Sequence, residues 1–237
     1  MTRAADERAA FRATPDREAY LRANSHLPGP RANLELLAAA AEEVDGAWAR
    51  RWADQPAGTD PTDVFLISVG LVALGRLLAD GDEAALPVLR RRANAAEWRI
   101  REAVAIALQR LGDERPERLA EIAADWATDG TPLEARAAVA AIAEPRLLRD
   151  GVVIDAALAV LDAATQLVVA AADRRADEIR VLRQALGYAW SVVIVGDPMH
   201  GWPRFQRWAA STDPDVRWIV AENQKKNRLR RLHLSDE

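Results

Sequence analysis

Glu97-Trp98-Arg99-Ile100-Arg101-Glu102-Ala103-Val104 and Asp213-Pro214-Asp215-Val216-Arg217-Trp218-Ile219-Val220 are one phrase written twice. Each opens on an acidic residue, sets an apolar residue before an Arg, and runs on into small and branched apolar residues. Looser copies stand at Asp63-Val64-Phe65, Glu134-Ala135-Arg136-Ala137-Ala138-Val139 and Asp177-Glu178-Ile179-Arg180-Val181-Leu182. Between Phe65, Arg101, Arg136, Arg180 and Arg217 the steps are 36, 35, 44 and 37 residues. A near-constant period of this length marks stacked helical repeats, because one helix pair cannot bury its apolar face alone and a stack makes a continuous core.

Working outward, the rest of the chain agrees. Ala, Leu, Glu and Arg dominate beyond Pro30, and β-strand alternation is missing. Breakers fall at regular intervals: Pro56, Gly58 and Pro61; Asp80-Gly81-Asp82; Gly112-Asp113; Gly130-Thr131-Pro132; Asp150-Gly151; Gly196-Asp197-Pro198; Asp213-Pro214-Asp215. Asp60-Pro61, Thr131-Pro132 and Asp213-Pro214 each put a capping residue before Pro, the signature of a helix start. Helices are predicted near 31–55, 61–79, 83–95, 97–111, 114–128, 132–148, 151–174, 177–195, 201–211 and 214–231. Residues 1–30 read as an N-terminal extension with a short helix around 16–24 that docks through Tyr20 and Leu21. Residues 31–231 form the array, and 232–237 a tail.

The acidic-apolar-Arg opening resembles that of HEAT repeats, over about residues 31–231. The resemblance implies an all-α fold, a right-handed α-solenoid of about five helix pairs. It also implies that Arg101, Arg136, Arg180 and Arg217 join an Asp–Arg hydrogen-bonded ladder between repeats. The first copy departs from the pattern, with Phe65 in the Arg position.

Composition narrows the chemistry. The 237 residues are 50% hydrophobic and 29% charged, which excludes a wholly disordered chain. There is no Cys, which excludes disulfides and thiolate metal sites. The net charge of −4 is on the wrong side of neutrality for a basic nucleic-acid-binding domain. Gly-rich phosphate loops and nucleophile elbows are missing, and His26, His200 and His233 are scattered. No catalytic residue, metal or cofactor is expected. The start is charged with both signs, so no signal peptide is expected. The longest uncharged apolar runs, 64–75 and 185–196, are shorter than the ~20 residues of a membrane span. The expectation is a cytoplasmic protein with no membrane partner.

Two features remain for function. Eight Trp are spread along the array, and Trp98 with Glu102 and Trp218 with Glu222 share helix faces at a spacing of four. Large aromatics fill gaps between Ala-rich helices; alternatively a Trp beside a carboxylate holds a cation. Trp126 has Asp125 and Asp129 near it in the chain. The second feature is basic: Lys225, Lys226, Arg228, Arg230 and Arg231, with both lysines of a chain that otherwise uses 30 Arg. Arg50-Arg51 and Arg90-Arg91-Arg92 are further basic pairs and triplets, and the 196–203 stretch reads as an unusual loop.

The resulting expectation is a non-enzymatic interaction scaffold that binds a protein or peptide on its concave face. The candidate binding residues are Trp98, Arg101, Arg136, Arg217, Trp218, Lys225, Lys226 and Arg228. The alternative is a DNA-binding protein of alkylation repair, since HEAT-like bacterial DNA glycosylases share the repeat type and the 216–222 segment is loosely similar to theirs. Nucleic acid is not the favoured partner, given the charge. A bilin-attaching lyase also shares the repeat type, without specific support in these residues.

Overall fold

A helix leaves the N–H groups of its first turn without internal partners, and short polar side chains supply them. In this chain that device sets seven of the described helix starts. The structure is a computed structural model and describes residues 3–233. Helix accounts for 77% of the chain, above the two-thirds that the repeats predict, and no strand occurs among the described residues. The fold is all-α. The chain divides into two compact units, one up to Leu111 and one from Gly112 on.

The first unit contains α1 (Arg3–Ala13), α2 (Arg17–Asn24), α3 (Leu34–Glu43), α4 (Gly46–Asp54), α5 (Asp63–Ala79), α6 (Ala85–Ala93) and most of α7 (Trp98–Glu114). Asp16, Asn33 and Asp45 cap α2, α3 and α4 by accepting N–H groups of Ala19, Leu36 and Trp48. The single helix predicted over 31–55 is therefore two. Val44 is extended, and the Asp45-Gly46 pair that follows restarts the chain as a capped helix. α5 starts at Asp63, later than Pro61, because Asp60 spends its carboxylate on the N–H and hydroxyl of Thr62.

The long apolar helix α5 is the centre of this unit, buried from Phe65 to Gly75. Two glycines allow that. A Cβ on Gly70 would lie 2.6 Å from the Ala53 nitrogen, so α4 rests directly on α5. A Cβ on Gly75 would lie 2.3 Å from the Ala107 carbonyl oxygen, so α7 does the same on another face. The N-terminal extension is part of this core: Leu21 docks as predicted, but the unpredicted α1 also buries Phe11 completely. Arg12 donates two bonds to Glu43, at 2.6 and 2.8 Å, and Arg8 adds a third contact.

The second unit contains α8 (Pro116–Thr128), α9 (Pro132–Ile142), a 3-10 turn (Leu147–Arg149), α10 (Gly151–Ala170), α11 (Asp177–Gly196), α12 (Pro198–Ala209), α13 (Pro214–Gln224) and α14 (Asn227–His233). Thr131 and Glu134 form a complete capping box ahead of α9. Asp150, Asp197 and Asp213 cap α10, α12 and α13. The 196–203 stretch is thus helical from Pro198 on, not a loop. The helix predicted over 214–231 breaks at Lys225 and resumes as α14. α10 is long and apolar enough to cross a membrane; within it, Asp162 accepts from Arg204 and Trp208 of α12 at 2.8 and 2.7 Å.

Trp126 and Trp190 are buried here, as Trp52 is in the first unit, and the gap-filling reading holds for those three. Trp190 also donates to Thr165 at 3.2 Å. At the far end of this core, Asn223 of α13 is fully buried against the middle of α11. Its Oδ1 accepts from the Ser191 N–H, and its Nδ2 donates to the Leu186 and Ile219 carbonyls, each at 2.8 Å.

Within each unit, helices pack mainly on those one and two places away in the chain: α3 and α4 on α5, α8 on α9 and α10, α9 on α10 and α11, α11 on α12 and α13. The polar links follow the same step. Arg76 donates to the Val44 carbonyl (2.8 Å), Arg92 to those of Ala53 and Gln55 (2.7 and 2.6 Å), Arg146 to Asp113 (2.8 Å) and Arg174 to Asp213 (2.5 Å). Arg183 pairs with the buried Asp215. All these links span 32 to 39 residues, about one repeat.

The arginines doing this are mostly not those expected. Arg101 donates instead to the carbonyls of Ala95 and Ala96 (2.7 and 2.8 Å), in the loop between α6 and α7, six and five residues back in the chain. Arg180 pairs with Asp177 inside its own helix at 2.7 Å. Arg217 is exposed and without a partner among the described residues. The ladder acids Asp213 and Asp215 are reached by Arg174, from the loop between α10 and α11, and by Arg183 of α11 instead, because Arg217 lies one helical step round from the packed face that holds Asp215 and Val216.

Candidate functional site

The first unit encloses a cavity of about 670 Å³. Its floor is Leu37, Val64, Phe65, Ala103 and Ile106, from α3, α5 and α7. Its rim is the 26–33 loop, the first turn of α3 and the start of α7. The loop is tied at its neck, where the Asn33 N–H donates to the Ser25 carbonyl at 3.0 Å and the buried Asn33 side chain donates to the Asn24 carbonyl. Its tip is tied as well: Arg99 donates to the Gly29 carbonyl at 3.3 Å. The rim is therefore built, not a loose loop over a hole.

Two large apolar side chains stand exposed on this rim, Leu34 at 61% and Trp98 at 52%. The Arg99 guanidinium lies 4.5 Å from the centre of the Trp98 ring. Arg31, Glu35, Glu102 and His26 are among the polar residues that line it. The arrangement is an apolar trough with charges of both signs at its edge, of a volume suited to a large side chain or a small organic molecule. Among the described residues no cluster of His, Asp or Glu is arranged to hold a metal ion.

The other sequence-derived candidates lie elsewhere. Arg101 is bonded to carbonyls of the loop before α7, and Arg136 is half-buried on α9. Arg217, Trp218, Lys225, Lys226 and Arg228 share the α13–α14 end of the second unit. There the Trp218 ring lies over Gly187, whose Cβ would stand 2.9 Å away, with Arg183 4.9 Å from its centre. Lys225 pairs with Glu222 at 2.5 Å. Lys226 and Arg228 both face the Tyr188 ring, at 5.7 and 4.4 Å. Of the three Trp–carboxylate pairs, Trp98 with Glu102 is the one that lines this cavity. Trp126 is buried, while Asp125 and Asp129 beside it point outward.

Leu34, Arg31 and Phe65 were not singled out as site residues from the sequence. A detectable signal did exist for Leu34, an apolar residue directly after the N-cap Asn33, where the first turn of a helix is normally solvated. The chain matches no protein-family profile, no curated protein and no solved structure.

Proposed function

We propose that this chain is a HEAT-like helical-repeat scaffold that acts by holding a protein or peptide partner, with the first unit's cavity receiving an apolar side chain of that partner. The observation that carries the reading is the exposed Leu34–Trp98 pair over an apolar floor. Monomeric proteins expose few such patches without using them, and Trp and Arg are both among the residues enriched at binding hot spots. The stacking of near neighbours and the side-chain links about one repeat apart support a solenoid-like arrangement within each unit. A cytoplasmic setting belongs to the same reading.

A displayed peptide library selected on the intact protein tests it. Recovered sequences should share an apolar anchor, and their binding should weaken at least about tenfold in Trp98→Ala and Leu34→Glu. Selection of no sequence, or binders indifferent to both changes, would overturn the reading.

A second reading has one observation in its favour. Trp98 and Glu102 line the same cavity, which is what a pocket for a cationic alkylated base requires. Against it, Arg99 already lies over the Trp98 ring. Release of free base from alkylated DNA by the wild-type protein, lost in Trp98→Ala, would establish it; no release is the expected result.

A further inference from the structure

We infer that the second unit carries a binding site for a small amphipathic anion, a carboxylate or phosphate monoester on an apolar body. The site is the cavity of about 480 Å³ between the 3-10 turn, α10, the end of α11 and Arg228. It lies in the other unit from the Leu34–Trp98 trough, so the two proposals stand or fall separately.

The walls are apolar: Leu148, Ile154, Val192 and Val195, the last of them 41% exposed. Two arginines line the same space, Arg149 and Arg228. Around them, arginines are neutralised by carboxylates: Arg146 by Asp113 and Glu144, Arg174 by Asp213, Arg204 by Asp162. Arg149 and Arg228 have no carboxylate partner among the described residues. Arg228 is nevertheless held in place. Its Nη2 donates to the Tyr188 hydroxyl at 2.6 Å, and its guanidinium lies 4.4 Å from the ring centre. A neutral partner positions the guanidinium while leaving its full charge free for an oxyanion.

The carboxylates nearby are already engaged. Asp197 lines the cavity, but its oxygens accept from the backbone N–H and the Nδ1 of His200, at 3.2 and 2.7 Å. Asp150, next to Arg149, accepts the N–H groups of Val152 and Val153 as the cap of α10. Two arginines, one of them fixed by Tyr188, thus share an apolar cavity with one carboxylate that is already hydrogen-bonded. That is an arrangement for a ligand with a charged head and a greasy remainder, within the volume range of small-molecule sites.

Calorimetric titration of the intact protein tests this with four probes: decanoate, decyl phosphate, decanol and inorganic phosphate. One or both amphipathic anions should bind with a single equivalent, and the tighter of the two names the head group. Decanol and inorganic phosphate, each lacking half of the ligand, should bind far more weakly. Arg149→Gln and Arg228→Gln should each weaken the anion about tenfold or more, with unchanged helix content. Arg149 is exposed, so its variant folds whatever the fate of the Arg228 contact with Tyr188. No saturable binding of either anion, equal binding of decanol, or wild-type affinity in both variants would overturn the proposal.

Discussion

Replacing Asn223 by Ala is the sharpest test of how the second unit is held together. The Asn223 amide is fully buried and makes three bonds of 2.8 Å, two of them to backbone groups in the middle of α11. The three losses are unequal. The Ile219 carbonyl lies in the same helix and keeps its ladder partner, and the Leu186 carbonyl retains a second lone pair within α11. The Ser191 N–H is a single donor, and stripping it of the Asn223 oxygen in a dry interior costs about 1–3 kcal/mol. Adding roughly 1 kcal/mol for the Leu186 bond gives a loss near 3 kcal/mol. For a unit of this length that is about 10 °C in Tm. Asn223→Asp should be at least as damaging, because it removes the Nδ2 donor and sets a carboxylate against two carbonyl oxygens. Thermal unfolding followed by far-UV circular dichroism reads both. An Asn223→Ala protein melting within about 2 °C of wild type would refute the idea that this amide joins α13 to α11.

Glu43 is held at about pKa 2 by its hydrogen bonds from Arg12, against an opposing push from burial, with Arg8 adding to the hold. A depressed carboxylate contributes stability above its unfolded pKa of about 4.5 that is lost as pH falls toward 2. Acid titration of Tm should therefore show a loss across that window that is missing in Glu43→Gln. Arg101→Ala should lower stability by about 1–3 kcal/mol through its bonds to the Ala95 and Ala96 loop carbonyls, whereas Arg217→Ala should leave the denaturation midpoint unchanged; the reverse order would reinstate the expected ladder at Arg217. Gly75→Ala should cost at least about 1–3 kcal/mol, because its Cβ would overlap the Ala107 backbone, which cannot swing aside as a side chain does; unchanged urea denaturation would show that α7 does not rest there.

The helical fold and many of its punctuation marks were legible in the residues. Thr131-Pro132 and Asp213-Pro214 start helices as read, since cap and proline act locally and need no tertiary information. The break at Val44-Asp45-Gly46 was missed for the opposite reason. The Ala-rich run before it and the Trp48–Trp52 spacing after it both have helical period, and the cap between them is a single residue. The first unit's cavity was not readable, because its lining comes from residues 26–37, 64–68 and 98–106, which become neighbours only once α3, α5 and α7 have packed. Trp98 and Glu102 were found because their pairing lies within one helix. The Arg228–Tyr188 contact spans 40 residues, so the basic stretch alone gave no hint of what positions it.

The reach of the polar links has a consequence for how the chain acquires its structure during synthesis. In the second unit the side-chain bonds described above reach back no more than 46 residues, the distance from Trp208 to Asp162. Each helix leaving the ribosome therefore finds its partners in what has just emerged. The first unit is different: Arg99 bonds to Gly29, 70 residues earlier, and Arg110 pairs with Glu42, 68 residues earlier. Its cavity rim waits, half-assembled, until α7 has been translated. A nascent chain from which α7 has not yet emerged leaves the apolar face of α5 open to protease and chaperone, and one long enough for α7 to have cleared the ribosomal tunnel has it closed.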